Sequence, residues 1–471
     1  MLFNSISFIV FLAIVLGLYY LAPLSWTFKK VMLLFFSYLF YALWNPPLII
    51  LLWISTLIDW VAGKKLFKET RPRKRTLWLL MSLFANLGFL AFFKYGGFLL
   101  DNFTFMVNSV GMDFHPAKPD IILPMGISFY TFQTMSYSID MYLKRAEPAK
   151  DFLDFSLYVT FFPQLVAGPI VRSSELVSQF YKPKRATTRQ FLWGLFFLTL
   201  GLFEKVVMAD TLLSSTSDKV FNSGKILNVL DAWSGTLAFS GQIFFDFAGY
   251  STCAIGIAML LGITLPDNFR YPYAALGFSD LWRRWHISLS SWLRDYLYIP
   301  LGGNRRGQTR TNVNLMLTML LGGLWHGAAW TFVFWGMLHG FYLMTERYLR
   351  KYIKIKINAW NGILLALATY LAVNITWVFF RSGDFGTARN MLASMFFMHP
   401  NGEMVLHYID ILKVFVVISV LFLIQWFMRN TSVKAMAEKI PWWALGFCWA
   451  AKLILLAVAQ GTGEKFIYFQ F

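Results

Sequence analysis

The chain has 471 residues, of which 57% are apolar and 14% are charged, whereas soluble domains contain about 25% charged residues. This composition excludes a soluble globular enzyme, because one core cannot bury so much apolar and aromatic surface. Lysine and arginine total 42 against 24 aspartates and glutamates, and the basic residues lie in short segments between apolar runs. That pattern is typical of cytoplasmic membrane loops and not of nucleic-acid binding, so it predicts an all-α polytopic membrane protein.

Several apolar segments approach the roughly 20 residues that a helix needs to span a bilayer. The clear candidates are 6–22, 31–44, 47–62, 77–93, 191–213, 232–262, 313–345, 360–380, 411–427 and 442–459. The segment 313–345 is long enough for two passes. The first segment has neither a basic n-region nor a small-residue cleavage site, so we expect a retained span and not a removed signal peptide.

Two further segments, 121–143 and 152–170, are ambiguous because proline and glycine interrupt them. The interrupting residues are Pro124, Gly126, Pro163, Gly168 and Pro169. Such residues break or tilt a helix, and broken backbone at membrane depth must be buried in protein, so both segments are candidates for re-entrant structure. In the N-terminal part, Lys29, Lys30 and the basic loop 64–75 are expected to face the cytoplasm.

The segment 278–303 is too polar to cross the hydrocarbon, although it is rich in tryptophan and tyrosine. It carries Asp280, Arg283, Arg284, His286 and Arg294. This mixture is typical of a helix that lies at the membrane interface or lines a wet cavity. We therefore predict one integral-membrane domain over 1–471, with N-terminal spans in 1–120, a core in 121–345 and C-terminal spans in 346–471.

Among the six histidines, His326 is the first candidate for chemistry. It lies in the uncharged run LMLTMLLGGLWHGAAWTFVFWG, where an ionisable group is costly, and neighbouring glycines allow a helix or substrate to approach it. The alternative is a neutral histidine that only hydrogen-bonds between helices. His115, His399 and His407 lie in polar loops and are expected to be solvated.

His286 is the second candidate, because a neutral imidazole can accept a proton. Nearby Arg283 and Arg284 would lower the pKa of His286. The alternative interpretation of this segment is a helix at the membrane surface that contacts lipid headgroups through its arginines. His339 is interpreted mainly as a packing residue. Asp246, within FFDFAGYS, must pair or face water, and either a cavity role or a structural role fits.

Motif absences narrow the reaction class. The sequence contains no GxSxG elbow, no phosphate-binding GxxxxGK[ST] loop and no HExxH pair, and its two cysteines, Cys253 and Cys448, lie in apolar sequence. No metal site is predicted. A histidine that removes the proton of a hydroxyl as it attacks a thioester remains compatible with the sequence.

The sequence resembles the membrane-bound O-acyltransferase (MBOAT) family, in particular its bacterial alginate O-acetyltransferase-like branch, which also includes teichoic-acid D-alanyl transferase. The motifs that carry this resemblance are LGLYYLAP, FKYGGF, ILPMGISFYTFQTMSYSIDMY, FFPQLVAGPIVR, FFDFAGYSTCAIGIAMLLGI, DLWRRWHISLSSWLRDYLYIPLGGNRRG, LGGLWHGAAWTFVFWGMLHG and FIYFQF. One departure is Thr252, since DFAGYST stands where many relatives have DFSGYSD.

The resemblance implies a ring of transmembrane helices around a central funnel, with re-entrant and interfacial helices. His326 is then the catalytic residue, acting as base or proton relay, and His286 completes the site; other branches use Asn or Asp at that second position. The substrate-binding candidates are Asp246, Arg283, Trp285, Arg294 and Trp325. No bound cofactor is implied, and the donor is acetyl-CoA or a carrier-protein thioester.

The function implied by this resemblance is O-acetylation of an exported or cell-wall polysaccharide, with an alginate-like polymer favoured, by a protein of the bacterial inner membrane. Because the chain ends at Phe471 without an appended soluble domain, the resemblance also implies an extracytoplasmic SGNH-type acyltransferase as partner, beside the polysaccharide export machinery. Peptidoglycan O-acetylation and D-alanylation-type transfer are the alternatives within the class. A transporter or channel, and a non-catalytic scaffold for export, are the alternatives outside it.

Overall fold

A computed structural model describes residues 1–353, 357–459 and 466–467 of the chain. Helices α1 to α9 are Ile6–Leu21, Trp26–Ala42, Ile49–Lys68, Pro72–Phe93, Gly96–Ser109, Ile127–Tyr142, Phe152–Thr160, Phe162–Leu165 and Ser173–Phe180. Helices α10 to α21 are Thr188–Leu202, Ser215–Phe221, Val229–Leu260, Phe278–Trp282, Ile287–Leu293, Gly307–His326, Trp330–Tyr352, Ala359–Arg381, Phe385–Met395, Tyr408–Met428, Val433–Ala437 and Trp442–Val458. This architecture confirms the all-α prediction.

Six stretches of helix in the described part of the chain are long and apolar enough to cross a membrane. They are Pro46–Lys68, Pro72–Phe93, Thr188–Phe221, Val229–Leu260, Ala359–Arg381 and Tyr408–Met428, and α1 and α21 are shorter apolar helices. The protein is therefore a multi-pass membrane protein, as predicted. The region predicted to make two passes, 313–345, lies within the helix pair α15 and α16, which residues 327–329 separate, and neither helix is among these six stretches.

The described chain forms two compact units. The first comprises Met1–Leu195 and Ala254–Pro266. Within it, Asp59 of α3 is fully buried and accepts hydrogen bonds from Ser82 and Asn86 of α4 and from Ser138 of α6. A carboxylate inside an apolar bundle needs such partners, so this polar cluster specifies how the three helices pack.

The two interrupted segments of the first unit differ from each other in structure. In 121–143 the interruptions precede the helix, because α6 starts after Gly126. Gly126 has a φ of +71° and lies close to the carbonyl oxygen of Leu165, so a side chain would not fit there. In 152–170 the helix is broken into α7 and α8. Nearly all of α6 is buried in protein, which satisfies the requirement stated for such segments.

The second unit comprises Phe196–Cys253 and Asp267–Phe471. Between α10 and α11 the helix continues as a π-helix over Phe203–Ser214, an unusually long stretch of a form that is rare and is often found at functional sites. A Cβ atom at Gly201 would lie 2.4 Å from the carbonyl oxygen of Gly249, so this chain segment and α12 pack backbone against backbone.

The sequence pattern suggested that the polar segment 278–303 forms a helix. In the structure it does not form one continuous helix. It is divided into α13, a turn over 283–286, α14, and a π-helical stretch Arg294–Tyr298. The division follows from the left-handed backbone of His286, with φ of +43°, which no continuing helix accommodates. The single domain, the ring and the funnel stay predictions.

Candidate active site

The ends of two helices in the second unit bring His286 and His326 together. His326 is the last residue of α15, and His286 directly precedes α14. Their ring centroids lie 6.3 Å apart, and His286 and His326 are 0% and 3% exposed. Two imidazoles this close and this well shielded from water are placed to share one substrate between them, so the two histidines selected from the sequence form a candidate site.

The turn that presents His286 is held by Asn268. The backbone oxygen of Asn268 accepts the N–H of Ile287 at 2.9 Å, and its side-chain Oδ1 accepts the N–H and the hydroxyl of Ser288 at 3.2 and 3.0 Å. Its amide group in turn donates to Ser251 at 3.2 Å. A left-handed conformation costs a non-glycine residue about 1–3 kcal/mol and persists only where neighbours fix it, which is what Asn268 does.

Aromatic rings enclose both imidazoles. Phe247 lies edge-on to His286 with centroids 4.6 Å apart, and Trp325 lies 5.8 Å from His286 and 5.0 Å from His326. His326 also contacts Trp335, at 5.1 Å, and Phe380, at 5.4 Å. Electrostatic interactions are strong in such surroundings, because few water dipoles screen them.

Burial lowers the pKa of His286 to about 3, so this imidazole is neutral at physiological pH. The sequence pattern also led to a lowered pKa but ascribed it to Arg283 and Arg284, whereas in the structure the cause is desolvation alone. A neutral imidazole has one nitrogen that accepts a proton and one that donates a hydrogen bond. It therefore suits a residue that receives or orients the proton of an attacking hydroxyl.

Asp246 is buried beside this site, where two groups hold it. Its Oδ1 lies 2.7 Å from the ammonium of Lys205, which also bonds Asp210 at 2.8 Å, and its Oδ2 accepts the backbone N–H of Ile467 at 2.6 Å. The pairing that the sequence analysis required of Asp246 is thus supplied by Lys205. The next residue, Phe247, is the ring that contacts His286.

A cavity of about 760 Å³ lies along α13, α14, α15 and α16. It is lined by Ser279, Asp280, Trp282, Arg283, Ile287, Ser290, Ser291, Leu293, Arg294, Tyr298, Leu315, Thr318, Met319, Leu343, Glu346, Arg347 and Arg350. Arg283 and Arg294, both predicted to bind substrate, therefore line one cavity. Trp285 instead packs in the core, with its ring 5.1 Å from Phe269 and 5.2 Å from Trp377.

The inner wall of the cavity approaches the histidines. Leu293 lines it, and its Cδ1 would be 3.2 Å from a Cβ atom on Gly322, one helical turn before His326. Trp282 also lines the cavity, and its ring lies 5.9 Å from that of Trp335, which contacts His326. A molecule that entered the cavity would meet side chains that touch the immediate surroundings of His326.

Glycines bring α15 and α16 unusually close. A Cβ atom on Gly336 would lie 2.2 Å from the carbonyl oxygen of Met319, and one on Gly323 would lie 2.3 Å from that of Phe332. Small residues of this kind let helix backbones touch, as in the small-xxx-small pattern Gly336 to Gly340. The contact fixes His326 at the end of α15 relative to the aromatic residues of α16.

Within the described residues no group of three or more His, Cys, Asp or Glu side chains is placed to hold a metal ion. Cys253 is buried and Cys448 is exposed, and both are free thiols. Asn268, which holds the turn at His286, and Lys205, which pairs with Asp246, are two residues of the candidate site that the sequence did not predict. Neither stands in a motif that predicts its role, because both act through partners that are distant along the chain.

Comparison with known proteins shows which family the sequence matches. Residues 127–369 match the sequence model of the membrane-bound O-acyltransferase family. The chain is 40% identical over 400 residues to a probable alginate O-acetylase of Pseudomonas putida, covering 84% of this chain and 80% of that protein. It is 35% identical to a peptidoglycan O-acetyltransferase of Helicobacter pylori, with 94% and 92% coverage. A teichoic acid D-alanyltransferase of Bacillus subtilis is 29% identical over 54% of this chain and 68% of that protein.

Proposed function

The chain belongs to the membrane-bound O-acyltransferase family and is an O-acyltransferase, and we propose that it moves an acetyl group from a cytoplasmic thioester towards an exported polysaccharide. The observation that carries the proposal is the pair His286 and His326, enclosed by aromatic rings next to a cavity with a basic rim. We assign the protein to the bacterial inner membrane, where a cytoplasmic donor and an exported acceptor are both within reach.

In the proposed reaction, a hydroxyl oxygen attacks the thioester carbonyl carbon while His326 takes the hydroxyl proton. The carbon–sulfur bond then breaks, the thiolate leaves, and the proton passes from the imidazole to the sulfur, so the products are an ester and a thiol. General base catalysis of this kind contributes about 10²–10⁴-fold to the rate. His286, neutral and 6.3 Å from His326, orients the proton or shares it.

The favoured donor is acetyl-CoA, because the cavity combines an arginine-rich rim with a largely apolar inner wall. Arg283, Arg294 and Arg347 are exposed and supply guanidinium groups suited to phosphates, while Leu293 and Met319 of the same lining are buried. A carrier-protein thioester also has a phosphate on the arm that holds its acyl group. It is therefore the alternative donor, and Trp325, whose ring is near both histidines, is the proposed contact for the acyl group.

The favoured acceptor is an alginate-like exopolysaccharide, because the chain is 40–41% identical to probable alginate O-acetylases of three Pseudomonas species. Peptidoglycan is the second candidate, since the Helicobacter pylori relative matches over nearly the whole length of both chains. D-alanylation-type transfer has weaker support, at 29% identity over about half of the chain. We further propose that an extracytoplasmic SGNH-type acyltransferase completes the transfer, together with the export machinery.

The test is acetyl transfer by the purified protein in liposomes supplied with labelled acetyl-CoA on one side. We expect label to move to polymer, or to an added SGNH-type partner, with the wild type and not with His326→Ala. His115→Ala is the matched control, because His115 is exposed and pairs only with Asp113, at 2.9 Å, among the described residues. Acetylated carrier protein replaces acetyl-CoA in a parallel arm.

Transfer that persists in His326→Ala at normal protein levels would overturn the catalytic assignment. A wild type that moves no acyl group from either donor, but lets solutes pass the liposome membrane, would favour the transporter alternative. If the protein showed neither acyl transfer nor solute flux, but polysaccharide export still required it, the scaffold alternative would be favoured.

A further inference from the structure

A third buried histidine, His339, lies on α16 next to the proposed active site. Its side chain is 2% exposed, and its ring lies 4.5 Å from Trp335 and 5.2 Å from Trp282, measured between ring centroids. Trp335 precedes it by four residues, so both side chains project from the same face of the helix. The sequence pattern alone favoured a packing role for His339, and the mechanism above does not use it.

The hydrogen bonds around His339 define its tautomer. Its Nε2 lies 3.1 Å from the hydroxyl oxygen of Thr376 on α17, and that hydroxyl is 2.7 Å from the backbone oxygen of Val373. Since a carbonyl oxygen only accepts, the Thr376 hydroxyl donates its hydrogen to Val373 and accepts from His339. Nε2 of His339 therefore carries a hydrogen, and because a charged imidazole this deeply buried would be costly, Nδ1 carries none.

The other ring nitrogen, Nδ1, is buried and has no hydrogen-bonding partner among the described residues. A buried acceptor without a partner is destabilising, so an apolar side chain of similar size would pack more favourably between the two indoles. Stability therefore does not account for a histidine at this position. What the imidazole provides is one directed bond to Thr376 and a fixed ring orientation.

Trp335 transmits that orientation to the active site. Its ring contacts the imidazoles of both His339 and His326, with centroids 4.5 Å and 5.1 Å away, and it meets the His326 ring edge-on at 83°. Trp335 is 1% exposed, so it has no free space in which to rotate away. Any shift of the His339 ring therefore moves the surface against which His326 rests.

From this geometry we infer that His339 is a positioning residue, which is anchored by Thr376 and holds Trp335 against His326 in the orientation that proton transfer requires. The inference rests on the proposed function, since it concerns the rate of the same acyl transfer. It assigns no substrate contact to His339. It predicts that loss of the anchor slows the chemical step and leaves donor binding and folding intact.

Three variants test the inference in the liposome assay with acetyl-CoA. We expect His339→Leu to lower kcat about tenfold, with KM for acetyl-CoA within about twofold of wild type and an unchanged or higher melting temperature. His339→Gln can still donate an amide N–H to Thr376, and we expect it to recover most of the activity. Thr376→Val removes the acceptor, and we expect a loss similar to that of His339→Leu.

Thr369→Val is the matched control for Thr376→Val. Thr369 lies two turns earlier on the same helix, is buried, donates to the backbone oxygen of Leu365 and accepts the N–H of Gly277 at 3.1 Å. It therefore loses a comparable hydrogen bond without touching the histidines. We expect its kcat to remain near that of wild type, and the double variant His339→Leu with Thr376→Val to be no slower than either single variant.

The inference is overturned if His339→Leu keeps wild-type kcat, or if Thr376→Val and Thr369→Val lose activity equally. It is also overturned if the lower kcat of His339→Leu is accompanied by a lower melting temperature and His339→Gln does not restore kcat. Should His339→Leu fail to fold, Thr376→Val against Thr369→Val decides alone. A wild type without transfer activity would instead refute the proposed function, so the two failures are distinguishable.

Discussion

The ammonium nitrogen of Lys205 lies 2.7 Å from a carboxylate oxygen of Asp246, and both side chains are less than a tenth exposed. The same nitrogen is 2.8 Å from Asp210. One lysine thus pairs with two carboxylates, and Asp246 also receives the N–H of Ile467. Asp246 directly precedes Phe247, the ring that contacts His286, so we expect loss of the pair to affect both stability and the candidate site.

We expect Lys205→Met to be more damaging than Asp246→Asn. Removing the lysine leaves two buried carboxylates without their cation, whereas in Asp246→Asn the new amide oxygen can still accept the N–H of Ile467 and Lys205 keeps Asp210. Breaking a buried ion pair typically destabilises by about 3–5 kcal/mol. Thermal unfolding in detergent measures the difference, and Lys219→Met is the control, because the Lys219 to Asp410 pair is longer and more exposed. Equal losses in the first two variants would contradict this account.

The low pKa of His286 makes stability depend on pH. Its pKa of about 3 lies below the ordinary value of about 6.5, so between these two pH values the unfolded chain binds a proton that the folded chain does not. Stability is then fully present above pH 6.5 and is lost as the pH falls, by at most about 1.4 kcal/mol per pH unit from this one group.

His286→Asn isolates that contribution, because asparagine does not titrate and tolerates the left-handed backbone at this position. We expect the melting temperature of the wild type to fall more steeply from about pH 6.5 to about pH 5 than that of His286→Asn. Activity at neutral pH is also expected to drop, by about tenfold or more. If the melting temperatures of the wild type and His286→Asn fell equally over this pH range, the pKa of His286 would not be lowered in the folded protein.

Asn268→Ala removes the side chain that fixes the turn before α14. We expect a loss of about 1–3 kcal/mol in stability, because the N–H of Ser288 then lacks its buried acceptor, and a larger loss in kcat than in donor affinity. Ser251→Ala is the milder comparison, since it removes only the group that Asn268 donates to. If Ser251→Ala lowered stability and kcat as much as Asn268→Ala, the hydrogen bonds from Asn268 to the turn would not explain the effect.

Arg283→Glu tests the basic rim of the cavity. We expect KM for acetyl-CoA to rise about tenfold with little change in kcat, because a carboxylate at the rim repels phosphate without reaching the histidines. The increase should shrink at high ionic strength, since exposed charges are screened. Arg389→Glu, a charge reversal at another exposed arginine, on α18 outside the cavity lining, is the control and should leave KM unchanged. A KM that is insensitive to Arg283→Glu would place the donor elsewhere.

The sequence predicts the long apolar helices well and the details of the site less well. Segment 411–427 corresponds to α19 and segment 442–459 to α21, because hydropathy over a whole span is a strong local signal. The π-helix at Phe203–Ser214 carries no such signal, since its register depends on what packs against it.

The site residues show the same difference. His326 was recognisable because it is ionisable within an apolar run, and His286 through the family motif. That their rings meet, and that Asn268 shapes the turn between α13 and α14, depends on contacts across the chain that no local pattern encodes. Trp285 illustrates the limit, since it belongs to the motif but packs in the aromatic core. The C-terminal part of the FIYFQF motif, 468–471, lies outside the described residues.

The glycine contacts between α15 and α16 also bear on how the protein is made. Only residues 327–329 separate the two helices, so closing the hairpin costs little chain entropy, and backbones that touch at Gly323 and Gly336 leave no gap for lipid. We therefore expect the hairpin to leave the insertion machinery already paired. His326 would then leave that machinery covered by α16, and would not be exposed alone while the later helices are still being synthesised.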